Sequence, residues 1–108
     1  MVQLKECVRF RFIPIEFLDL CEALSECAGA QGKQPTITGA AFEDYPKNSY
    51  HQKGYGWDIR TSDIPNPLEY ACCLCSRLKE ISNQYRLLFG DEQHTDHIHI
   101  EFRYDKKI

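Results

Sequence analysis

The chain contains four histidines, and all of them lie in or beside two short segments. The first, Ser49 to Asp58, reads Ser-Tyr-His-Gln-Lys-Gly-Tyr-Gly-Trp-Asp and offers Ser49, His51 and Asp58. The second, Asp96-His97-Ile98-His99, crowds two histidines and an acid into four positions, with His94 just ahead of it. Neutral imidazole and carboxylate are good zinc ligands, and a catalytic zinc keeps three protein ligands with one position left for water. His51, Asp58 and one histidine of the His97/His99 pair would make such a set. The spacing of His51 and Asp58 fits neither one helical turn nor a straight strand, so a loop must return His51 to the side of Asp58. Gly54 and Gly56 lie between them, where a tight turn or a close backbone approach would need glycine. On a strand, side chains two apart share a face, so His97 and His99 point the same way. One could ligate a metal while the other faces a substrate. The competing reading is a polar loop beside a histidine-bearing strand with no metal, and short motifs of this kind do arise by chance.

The pattern Ser49-x-His51-x-x-Gly54-x-Gly56-x-Asp58, followed by Asp96-x-x-His99 with a His-x-His ending, resembles the LAS zinc metallopeptidases. That group includes D-Ala-D-Ala carboxypeptidases, phage L-Ala-D-Glu endolysins and the Hedgehog signalling domain. Its familiar form is Ser-x-His-x-x-Gly-x-Ala-x-Asp, so Gly56 stands for the usual Ala, on its face a mild change. The resemblance implies Zn2+ as cofactor, held by His51, Asp58 and His99. It implies that His97 stabilises the oxyanion, that Asp96 is the general base, and that Ser49 contacts substrate or supports a ligand. On a regular strand Asp96 would face away from His97 and His99, so the backbone at Thr95-Asp96 must be irregular for Asp96 to serve. Glu92 is the reserve base, and His94 reads as a solvated loop residue. Many bacterial members carry an arginine ahead of the motif that binds a substrate carboxylate. Here the stretch is Thr38-Gly39-Ala40-Ala41. Arg60, two residues past Asp58 and on its face of a strand, is a candidate replacement, or it pairs with a nearby acid.

These segments need a scaffold. Val8, Phe10 and Phe12 alternate with Arg9 and Arg11 as in a half-buried strand. Pro14 suits the first turn of a helix, and Phe17, Leu20, Cys21, Leu24, Cys27 and Ala28 form an apolar stripe over Ile15 to Ala28, stopped by Gly29 to Gly32. Thr36 to Thr38 is a short strand leading to a polar loop, Ala40 to Asn48. Tyr45, Tyr50, Tyr55 and Trp57 read as aromatic packing around a small core rather than as a stacking platform. Trp57 to Arg60 is a strand carrying Asp58. Asn66 and Pro67 cap a helix from Leu68 to Tyr85, whose stripe is Ala71, Leu74, Cys75, Leu78, Ile81 and Tyr85. Arg86 to Phe89 is a strand and Gly90 to Asp96 an acidic turn. In the last strand, His97 to Tyr104, His97, His99, Glu101 and Arg103 line one face and Ile98, Ile100, Phe102 and Tyr104 the other. The tail from Asp105 reads as frayed.

At 108 residues, 43% hydrophobic and 27% charged, the chain reads as one globular domain, 1–108. The expected fold is α+β: a small antiparallel sheet with two helices packed on one face and the zinc site on the other. A net charge of −3 with mixed signs argues against a nucleic-acid partner. No stretch approaches the ~20 apolar residues of a membrane span. Lys5, Glu6, Arg9 and Arg11 interrupt any signal-peptide core, so the expectation is a monomer made and kept in the cytoplasm, unless something such as a phage holin releases it. The six cysteines, Cys7, Cys21, Cys27, Cys72, Cys73 and Cys75, then read as reduced core thiols. A zinc cluster on Cys72-Cys73-x-Cys75 is disfavoured because neighbouring side chains on a helix diverge by about 100°. The function implied by the resemblance is cleavage of peptidoglycan stem or crosslink peptides. The alternative is an inactive Hedgehog-like zinc module acting through a partner.

Overall fold

The computed structural model describes residues 2–5, 8, 10, 13–40, 50–51, 53–91, 94 and 96–104. Their elements run β1 (Gln3–Leu4), α1 (Ile15–Gly29), β2 (Thr36–Gly39), β3 (Gly56–Arg60), α2 (Pro67–Ile81), β4 (Tyr85–Leu88) and β5 (His97–Phe102). The fold is α+β. Five strands form one open sheet in the order β1-β2-β3-β5-β4, and both helices pack on one face of it. Four strands pair antiparallel, as expected, but β1 pairs with β2 in parallel, so the sheet is mixed. The connection explains the difference: β1 reaches β2 through α1, and a helical crossover returns the chain in the same direction.

Period-two alternation builds the two faces. In β3 and β5, Trp57 lies opposite Ile100 and Ile59 opposite Ile98, while Asp58 lies opposite His99 and Arg60 opposite His97. The first set is buried with Ile37 and Phe102 against Phe17, Leu20, Leu24 and Cys27 of α1 and Tyr70, Leu74 and Leu78 of α2. The second set faces away from the helices. A one-residue slip would exchange these faces, so burial of the apolar set also fixes where the polar set stands.

The helices follow their sequence signals with local corrections. Asn66 accepts a hydrogen bond from the Glu69 amide at 3.1 Å, and Pro67 opens α2. This helix ends at Ile81 instead of running to Tyr85, because Ser82 is extended and its hydroxyl accepts from the Gln84 amide at 3.1 Å. Such a local bond competes with helix continuation. Tyr85 therefore begins β4 opposite Phe102, and its hydroxyl donates to the Glu16 carbonyl at 2.7 Å. Tyr70, outside the anticipated stripe, is fully buried, whereas Ile81 is largely exposed.

Val8 and Phe10 are not in a strand; both pack against the core, Phe10 edge-to-face with Phe17 at 5.1 Å. The other residues of the expected 8–12 strand, the 105–108 tail, Tyr45 and Cys7 lie outside the described residues. The aromatic group divides. Trp57 is in the helix-side core against Phe17 at 5.7 Å, whereas Tyr50 and Tyr55 meet Tyr104 beside the end of β5.

Cys27 and Cys73 are joined in a disulfide, which corrects the reduced-thiol reading for this pair. The facing helices bring their Cα atoms to 5.8 Å, within the range a disulfide spans. Stripe position alone could not reveal that distance. Cys21, Cys72 and Cys75 are free thiols. Burial pushes the Cys21 thiol up.

Candidate metal centre

β3 and β5 set Asp58 and His99 side by side. His51 arrives from the preceding turn. The Gly54 amide donates to the His51 carbonyl at 3.1 Å, and the Tyr55 amide donates to the Tyr50 carbonyl at 2.8 Å. Gly54 has φ +87°, the left-handed region that favours glycine. At Gly56 a Cβ would stand 2.7 Å from the His51 backbone nitrogen, so the exchange of Ala for Gly at this position is no mild change in this chain. The turn packs too closely on β3 to admit a methyl group.

Three ligand atoms converge: His51 Nε2, Asp58 Oδ1 and His99 Nδ1. Their separations are 3.1 Å between the two nitrogens and 3.2 Å from each nitrogen to the oxygen. Donors placed tetrahedrally about 2.0 Å from one ion stand about 3.3 Å apart. The group is withdrawn from solvent, with His51 and His99 buried and Asp58 half-buried. It could hold a metal ion.

The outer nitrogens decide what the inner ones offer. His51 Nδ1–H donates to the Ala40 carbonyl at 2.6 Å, and His99 Nε2–H donates to Glu101 at 2.8 Å. Each neutral ring then turns a lone pair inward, towards the other and towards a carboxylate oxygen. Three acceptors this close require a cation between them. Partners of this kind on the far side of a ring are what orient histidine ligands and raise their basicity. Without a metal the cation is a proton. Burial opposes a charged His99 ring, but hydrogen bonds to Asp58 and Glu101, together with their charges, outweigh it and raise its pKa to about 9. Burial likewise pushes Glu101 up, but the His99 hydrogen bond and charge, with Arg86 and Arg103 beside it, hold its carboxyl below the usual range.

His97 shares this face. Its Nε2 lies 3.7 Å from Asp58 Oδ1, and its Nδ1–H donates to Asp96 at 2.8 Å. Asp96 occupies a bend immediately before β5. That irregular backbone lets it reach the site face, where it lines a cleft of about 240 Å3 with Lys5, Thr38, Asp58, Arg60 and His97. Its carboxylate is exposed, and the hydrogen bond from His97 lowers its pKa. This keeps it ionised, the state a base needs, while reducing its basicity.

The site therefore brings together His51, Asp58, His99, His97, Asp96 and Arg60. Ser49 and Glu92 lie outside the described residues. His94 is not a solvated loop residue: its side chain is only 15% exposed, with its ring 5.2 Å from that of His97 and 5.6 Å from that of His99. The turn folds back because the Gly90 amide donates to the His94 carbonyl at 2.8 Å, and His94 Nδ1–H donates to Asp91 at 2.6 Å. The motif also misses three contributors. Glu101 was legible as the next residue on the His97–His99 face. The Ala40 carbonyl and Lys5 carry no local signal.

No family model, curated protein or solved structure matches the chain. Among the described residues, no helix is long and apolar enough to cross a membrane.

Proposed function

We propose that this chain is a zinc-dependent peptidase of the LAS type that cleaves the stem or crosslink peptides of peptidoglycan. The observation carrying this reading is the convergence of His51 Nε2, Asp58 Oδ1 and His99 Nδ1 with both outer ring nitrogens already engaged. Two imidazoles and a carboxylate at this spacing suit zinc and leave a coordination position open. When bound, zinc supplies Lewis acidity: it brings the pKa of a water towards ~7 and polarises a carbonyl. Asp96 is the base in this reading, and a His97 ring carrying hydrogen on both nitrogens, Nδ1–H held by Asp96, would donate Nε2–H to the developing oxyanion. The hydrogen bond between these two residues fixes the His97 ring and leaves its Nε2 on the Asp58 side. The work is done on the wall side of the membrane, in an oxidising setting where the Cys27–Cys73 disulfide persists.

The test is digestion of purified sacculi, with mass spectrometry of the released fragments, alongside chelator-treated and Asp96→Ala samples. The expected result is a defined new peptide end that is absent from both controls. Intact sacculi from a protein carrying stoichiometric zinc would overturn the lytic role and leave a zinc module that acts through a partner.

A further inference from the structure

We propose that Cys72 and Cys75, on the outer side of α2, form a two-thiolate site for Cu(I), separate from the histidine centre. Both are free thiols, Cys72 exposed and Cys75 half-buried. They lie in the interior of α2, and neither belongs to its buried stripe of Tyr70, Ala71, Leu74 and Leu78. Side chains three apart on a helix are neighbours on one strip of its surface. Cys73, between them in sequence, is tied to Cys27 of α1. On an α-helix Cys72 stands about 100° round the axis from Cys73, and Cys75 about 160°. The disulfide therefore takes the middle sulfur to the α1 side and leaves a Cys-x-x-Cys pair on the other. Free cysteine is normally among the most buried side chains, which sets this pair apart from Cys21, packed against the core.

The spacing decides what the pair can hold. Cβ atoms at i and i+3 stand about 5–6 Å apart, beyond the about 3.5–4.5 Å that a disulfide allows. A direct bond would have to distort a continuous helix, and the two remain thiols in the chain where Cys27 and Cys73 are joined. An ion between the sulfurs spans more: two metal–sulfur bonds of about 2.3 Å hold the sulfurs up to about 4.6 Å apart. The donor count decides which ion. Zinc takes three or four protein ligands, and among the described residues three ligand atoms converge only at His51, Asp58 and His99. Thiolates select soft ions, and Cu(I) is a soft ion that two of them satisfy in line. Binding forms two Cu–S bonds and releases the two thiol protons, with no change of oxidation state.

The test is an anaerobic titration of the full chain, its disulfide intact, with Cu(I) in competition with a chromophoric Cu(I) chelator. One ion per chain should be taken up, with sulfur neighbours at the copper X-ray edge. Cys72→Ser and Cys75→Ser should each abolish that uptake, whereas Cys21→Ser and His99→Ala should leave it unchanged. Both serine variants lie outside the buried stripe and should melt with the parent, which separates loss of the site from loss of the fold. No uptake by the parent overturns the site. So does uptake that survives in the double serine variant, or that is lost in His99→Ala, which would place the copper on the histidines. Half an ion per chain in a copper-dependent dimer also overturns it, because the sulfurs would then come from two copies. The site does not rest on the peptidase reading, and sacculi left intact would not touch it.

Discussion

Glu101→Gln tests the metal centre through a residue that is not itself a candidate ligand. Glu101 is 6% exposed and accepts the His99 Nε2–H bond at 2.8 Å. The change keeps size and shape and removes one charge. Glu101 is one of two carboxylates that hold the metal-free His99 pKa at about 9 against the 6.5 of a free ring. A less basic His99 is a weaker ligand, and loss of such a supporting partner costs about 10–100-fold in metal affinity, or about 1.4–2.7 kcal/mol. The assay is competition for zinc against a chromophoric chelator at a pH above the His99 pKa of about 9, where a proton no longer competes for the ring, with unfolding of the metal-free protein as a control for the fold. Zinc affinity within twofold of the parent, in a protein that remains folded, would refute the reasoning. It would mean that His99 does not bind metal through Nδ1.

Zinc and a proton compete for His99, so between about pH 6.5 and 9 apparent zinc affinity should rise close to tenfold per pH unit, then level off, with proton release visible by calorimetry. The metal-free protein should show the opposite stability trend. The raised His99 pKa contributes fully below 6.5 and is lost as pH rises through about 9, at most about 3 kcal/mol by linkage, read from denaturant midpoints across that range. Reducing Cys27–Cys73, which are 46 residues apart, should lower stability by up to about 4 kcal/mol on a chain-entropy view, seen as a lower melting temperature in reductant. An unchanged melting temperature would show that the bond contributes nothing. Gly56→Ala should destabilise by about 1–3 kcal/mol and weaken zinc binding together, because the methyl group meets the His51 backbone at 2.7 Å; full zinc affinity in a folded variant would contradict the close approach.

The parts of this fold that could be read from sequence are those where a short-range rule decides. Alternation in 97–102 assigned His97, His99 and Glu101 to one face and Ile98, Ile100 and Phe102 to the other, and the register against β3 keeps that division. Asn66-Pro67 marked the start of α2. What escaped depends on long-range meetings. β1 exists because Gln3 and Leu4 pair beside Thr36 and Ile37, although two exposed residues show no alternation. The disulfide depends on how α1 faces α2, and the fit at Gly56 depends on how a distant turn folds over β3. At the site, histidine and carboxylate spacing pointed to the cluster. The Ala40 carbonyl that fixes His51, and the placing of Lys5 on the same cleft as Arg60, arise only when separate strands come together.

His51, Asp58 and His99 are proposed to hold one metal ion. X-ray absorption at the zinc edge, on the purified protein with metal content measured on the same sample, addresses it most directly. One zinc per chain is expected, in a shell of nitrogen and oxygen at about 2.0–2.1 Å, lost on His99→Ala. Sulfur at about 2.3 Å would move the ion to the cysteines. No zinc above the level of the variant would remove the metal centre altogether.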